Sequence, residues 1–143
     1  MVVNDLIQTC KDGQQGFRDA ADRIRDNELK ALFHAYAIQR SQFAEELETA
    51  SRESEDADDH DSSIFSGPLH QGWVNLKAAI AGNNQQSILV ECERGEDDAV
   101  AAYERALDTM DFSPKIRAIV ERQFNEIQKT RDRVRQAREA MSQ

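Results

Sequence analysis

Apolar residues recur every three to four positions along four stretches of this chain, the spacing of helices that each bury one face. The clearest stretch predicts a helix over 85–110. Ile88, Leu89, Cys92, Ala99, Val100, Tyr103, Ala106 and Leu107 form its stripe, which is interrupted between Cys92 and Ala99 by Gly95-Glu96. A carboxylate in mid-stripe is either a helix edge or a buried acid with a partner. The first stretch predicts a helix over 3–24, with Leu6, Cys10, Gly13, Phe17, Ala20 or Ala21, and Ile24 inward. Asn4 or Asp5 would supply its N-terminal charge or cap. Gly13 and Gly16 lie mid-helix, where each costs up to ~1 kcal/mol relative to Ala. Either a large neighbouring side chain needs the space, or the helix kinks. The second stretch predicts a helix over 28–52, capped by Asp26 or Asn27. Its stripe of Leu29, Leu32, Phe33, Tyr36, Phe43, Leu47 and Ala50 is broken at its centre by Gln39-Arg40. The last runs over 114–141, with Ser113 as N-cap and Pro114 in the first turn. It carries Ile116, Ile119, Val120, Phe124, Ile127, Val134, Ala137 and Met141.

Between the second and third long helices the pattern lapses. Glu53 to Asp61 reads ESEDADDHD, an acidic run without a basic residue, and the connection over 53–67 should be exposed. His60 among these Asp residues could bind a cation weakly, but a solvated loop residue is expected. A shorter helix follows over 68–81, opened by Pro68 and ended by Gly82-Asn83-Asn84. Trp73, Leu76, Ala79 and Ile80 give it one apolar side, and Trp73 should pack it onto the long helices. The connections are short, long, short. That order predicts an all-α fold and a single domain over 1–143: a ferritin-like four-helix bundle with one long crossover carrying a short fifth helix.

Composition narrows the function. The formal net charge of −9 argues against a nucleic-acid backbone or an anionic membrane as partner. The basic-rich segment Lys129–Arg138 alternates with Asp132 and Gln136 and reads as a solvated face. No stretch approaches the ~20 apolar residues of a membrane span. Cys10 and Cys92 lie inside apolar stripes without zinc-type spacing, as buried thiols of a reducing compartment do. With no basic n-region or apolar run at the N-terminus, a cytoplasmic location is expected.

The middles of the four long helices fall near Gly13, Arg40, Glu96 and Ile127, which should share one layer. Arg40 and Glu96 are expected to pair there, with Gly13 making room and Gln14, Gln39 or Gln123 adding hydrogen bonds. Tyr36 and Tyr103 point toward the same layer. The competing reading is metal. Di-metal bundles use a Glu from each of two helices and Glu-x-x-His from each of the others. This chain has Gln39-x-x-Gln42 at the middle of its second helix, and no Glu stands three residues before His34. His70 has no partner at helical spacing. An atypical site for iron, manganese or zinc would draw on Glu91, Glu93, Glu96, Glu121 and Glu126. No nucleophile–base arrangement or glycine-rich phosphate loop is present.

The runs CKDGQQGF (10–17), LHQGWVNLKAAIAG (69–82) and CERGEDDAVAAYERAL (92–107) resemble an uncharacterised bacterial family of ferritin-like four-helix proteins, known as a domain of unknown function. The likeness covers nearly the whole chain. It implies a ferritin-like bundle and a bacterial cytoplasmic protein linked to stress conditions, and it brings no assigned reaction. Acidic residues often stand in that family at the places of Gln14 and Gln15, so this chain departs toward neutrality, away from a metal role. The leading expectation is a non-enzymatic protein without a cofactor, structural or interacting. The others are a carboxylate metal or oxidoreductase-like protein, and a module whose acidic crossover recruits a basic protein partner. A homodimer through the Trp73 helix is a further expectation.

Overall fold

The computed structural model describes residues 2–53 and 71–141, and among them only helices and turns occur. The long helices are α1 (Val2–Ala21), α2 (Asn27–Glu53), α4 (Gln85–Thr109) and α5 (Pro114–Met141). Between α2 and α4 lie a 3-10 turn, Gln71–Trp73, and the six-residue α3 (Leu76–Ala81). The single short helix expected over 68–81 is therefore divided, with Val74 and Asn75 in turn geometry between its two parts. Its start at Pro68, and the connection over 54–67 with His60, lie outside the described residues, as does His70.

Local chemistry sets the ends of the helices. Asp26 Oδ1 accepts from the Leu29 amide at 3.1 Å and caps α2, so Asp26 rather than Asn27 is the capping residue. Asn84 caps α4 by accepting from the Ser87 amide at 3.0 Å. Ser113 Oγ accepts from the Ile116 amide ahead of α5, with Pro114 in the first turn. α1 stops at Ala21, three residues short of the expected end, because the amides of Arg23 and Ile24 both turn back onto the Ala20 carbonyl. Ile24 is nevertheless buried.

The core falls into two apolar clusters. One holds Leu6 and Cys10 of α1, Phe43 and Leu47 of α2, Val100 and Tyr103 of α4, and Val120 and Ile127 of α5. The other holds Phe17 and Ile24, Phe33 and Ala37, Ile88 and Leu89, and Val134 and Ala137. α1 and α5 pass from the first cluster to the second, while α2 and α4 pass from the second to the first. α2 and α4 are therefore parallel, and the segment between them has to return along the length of a helix.

That returning segment is anchored by Trp73 and Leu76, both buried in the second cluster. The Trp73 ring meets Phe17 edge-on, with centroids 5.3 Å apart. The indole lies against Gly16 of α1 and Gly95 of α4, and a Cβ at either glycine would fall well inside contact distance of its ring atoms. Glycine at these two positions makes room for a bulky neighbour. Gly95→Ala is expected to cost ~1–3 kcal/mol through overpacking, against a helix-propensity gain of up to ~1. Gly82→Ala, where a Cβ would meet only ordinary contacts at 3.6 Å, should be near neutral. Urea titrations followed by the fluorescence of the sole tryptophan check this. Equal midpoints for the two variants would show that the indole can shift aside.

Candidate functional site: a buried charged layer

The two clusters part where each α2 and α4 stripe is interrupted. Arg40 sits at the inner pole of α2 and Glu96 at that of α4, with exposures of 1% and 0%. Arg40 Nη1 donates to Glu96 Oε1 at 2.6 Å, and Nη2 donates to Oε2, a fork-to-fork pair that engages both carboxylate oxygens. A Cβ at Gly13 would stand 3.0 Å from Arg40 Nη1, so α1 yields the space the guanidinium occupies. One turn further along α1, the centroid of the Phe17 ring lies 5.5 Å from the guanidinium carbon. Burial by itself would lower the arginine's pKa. The Glu96 charge and hydrogen bonds outweigh burial and hold it above the ordinary value.

The expected hydrogen-bonding partners are distributed differently. Gln123 is fully buried but serves Tyr103, whose hydroxyl donates to Gln123 Oε1 at 2.7 Å. Its amide nitrogen donates to the Phe43 carbonyl at 3.3 Å and to Glu46 Oε1 at 2.9 Å. Cys10 Sγ lies 3.1 Å from the same tyrosine hydroxyl. A polar chain therefore runs Cys10–Tyr103–Gln123–Glu46 from the core toward the side where α2 faces α5, and Glu46 ends it in an ion pair with Arg122. Gln14 is half-buried beside Gly13. Gln39 Oε1 and Arg40 Nε are buried without hydrogen-bond partners. Tyr36 is half-buried and stacks with Phe17 and Phe33, its centroid 5.3 Å from that of Phe17. Ile127 lies within the first cluster, and Thr130 is the α5 residue between the clusters.

The carboxylates of the alternative metal set occupy separate environments. Glu93 pairs with Arg135, at 2.9 Å, and with Arg138. Burial pushes its carboxyl up, but the hydrogen bonds and charges of Arg138 and Arg135 leave it below the ordinary carboxylate value. Glu91 Oε1 is 3.6 Å from Arg94, too long for a hydrogen bond. Glu121 pairs with Arg117 and Glu126 with Lys129, both on α5. Among the described residues, no three His, Cys, Asp or Glu side chains gather in a way that would hold a metal ion. The acidic run expected to recruit a basic partner lies outside the described residues beyond Glu53. No helix among those described is long and apolar enough to cross a membrane.

Sequence reasoning missed the polar chain behind Tyr103. Its only local signal was Gln123 inside the apolar stripe of α5, where an amide needs buried partners. Among the described residues, the fold and site define an all-helical protein whose core is divided by a buried ion pair. The chain belongs to the family described as Domain of unknown function (DUF2383), whose model matches residues 1–109. The match spans α1 to α4 and includes both members of the pair. No curated protein matches the chain.

Both cysteines are free and buried. Burial pushes the Cys10 thiol up to about 11, and lifts Cys92 and Tyr103 well above their ordinary values. Groups that resist ionisation in the fold but ionise readily in the unfolded chain stabilise it below the unfolded pKa. That stability is lost as pH rises through the folded one. Urea midpoints should therefore fall between pH 9.0 and about 11, each unit of the Cys10 shift being worth ~1.4 kcal/mol. Cys10→Ala should flatten part of that fall, and a midpoint unchanged across the window would contradict it.

Proposed function

We propose that this is a non-enzymatic, ferritin-like helical-bundle protein of the bacterial cytoplasm, structural or interacting and linked to stress conditions. An ion pair occupies the layer that other bundles of this topology give to metals. The observation that carries the reading is that both oxygens of Glu96 are engaged by Arg40 in a fully buried layer. A guanidinium there opposes a cation at close range, and Gln39 and Gln42 at mid-α2 are neutral and poor substitutes for carboxylate ligands. The donor set does not fit a di-metal centre. The parallel run of α2 and α4, with the long return between them, supports the ferritin-like topology. The family resemblance supports the bacterial and stress-linked setting.

Metal analysis of protein purified without chelators tests the reading first. Near-stoichiometric iron, manganese or zinc would overturn it in favour of the carboxylate metal protein. The ion pair itself is tested by a substitution cycle read in denaturant melts, with and without added metal. Arg40→Met and Glu96→Leu should each cost on the order of 3–5 kcal/mol, because each leaves an uncompensated charge in the core. The double variant should recover much of the loss, since both desolvation costs vanish. Small additive losses of under ~1 kcal/mol would mean the pair is effectively solvated.

A further inference from the structure

Opposite Arg40, α2 presents a strip that the fold leaves open. Ala31, His34, Ala35, Ile38, Gln42 and Glu45 fall within about 100° of one another around the helix, and all are exposed. Ile38, at 60%, is the most exposed large hydrophobic among the described residues. Between Lys30 and Glu45 the only charged residue of α2 is Arg40, which is buried, so this outer side is uncharged for about four turns. The exposed residues of the other long helices are charged at short intervals, as with Lys11, Arg18, Arg94, Glu104, Glu121 and Arg122. We propose that the outer strip of α2 is the interface of a two-fold homodimer in which two copies of α2 cross antiparallel at Ile38.

A second copy fits for two reasons. With a net charge of −9, two chains repel across their charged faces. The strip carries a single charge, Glu45 near one end, and an antiparallel crossing at Ile38 places it at the level of Ala31 of the other copy, so no like charges oppose. A partner of opposite charge would instead be drawn to the acidic surface. The strip is also self-complementary about a two-fold axis. With Ile38 on the axis and packing against its equivalent, His34 of one copy comes to the end where the other carries Gln42 and Glu45. An imidazole N–H then meets amide and carboxylate acceptors, and the symmetry makes the match twice. A parallel crossing would set His34 beside His34 and Glu45 beside Glu45. One helix crossing another covers less than the ~800 Å² per partner of a standard interface, so the dimer should dissociate in the micromolar range.

Sedimentation equilibrium of the whole chain over roughly 1–500 µM tests this, since that range brackets such a dissociation constant. The expected mass rises from 16.2 kDa toward twice that value. Ile38→Lys should raise the dissociation constant by ~10-fold or more even though it reduces the net negative charge. Its melting temperature, measured in dilute solution where the chain is monomeric, should be unchanged because the position is exposed. Independently of that variant, Ile38→Cys should form a disulfide-linked dimer on mild oxidation, whereas Glu104→Cys on the exposed side of α4 should not; the native thiols are buried. A chain monomeric throughout the range overturns the proposal. So does a dimer whose affinity is indifferent to Ile38→Lys, or one in which Ile38→Cys fails to cross-link.

Discussion

A guanidinium and a carboxylate that must meet in the absence of water allow very few arrangements of the helices that carry them. Sliding α2 by one turn against α4 would leave Arg40 and Glu96 both buried and unpaired, at a penalty of several kcal/mol. The pair therefore fixes the register of two parallel helices that no short loop ties together. The two apolar clusters on either side supply the burial that drives folding, but apolar contacts alone tolerate repacking. In net stability a buried ion pair gives little over an apolar substitute. Its effect here is on which alignment the helices adopt.

The rest of the layer follows from housing that pair. α1 approaches α2 closely because Gly13 has no side chain to displace Arg40. Phe17 offers its ring face to the guanidinium and meets Trp73 in a T-shaped contact. Trp73 in turn lies against Gly16 and Gly95, the residue beside Glu96. Trp73 is thus held between α1 and α4 at the level of the residue that precedes Glu96. On the other side, Tyr103, Cys10 and Gln123 form a neutral polar chain that satisfies buried hydrogen-bonding groups with little free charge.

α2 is organised differently from its neighbours because it buries an arginine at its inner pole while its outer side from Ala31 to Ala44 carries no charge. Over those turns the outer strip is alanine, histidine, isoleucine and glutamine. α5 shows the usual arrangement, an apolar inner stripe with arginine, lysine and glutamate outside, much of it tied to α4 through Glu93 and Asp97. An uncharged outer side of this kind is what the proposed α2–α2 contact would use.

The sequence by itself determined the all-helical class, the extents of the long helices to within a few residues and the Ser113 cap of α5. These depend on local periodicity and on side chains bonding to nearby amides. It left the α2 cap between Asp26 and Asn27, and it placed Asn84 at the end of the preceding helix rather than at the cap of α4. It also marked Arg40 and Glu96, because a charge at the centre of an apolar stripe is visible without coordinates. The tertiary structure decided what each polar residue touches. Gln123 and Gln39 looked alike as amides near the centre, yet one bonds Tyr103 and the Phe43 carbonyl while the other has a buried oxygen without a partner. Tyr103 and Tyr36 looked alike as inward aromatics, yet one is fully buried in the polar chain and the other is half-exposed. Gly13 and Gly16 were legible as positions of either close approach or a kink, and the sequence tied only Gly13 to a neighbour. That the first accommodates an arginine and the second a tryptophan from a distant turn depends on the rotation and spacing of packed helices. Those are set by the whole core at once, and no local stretch of sequence encodes them.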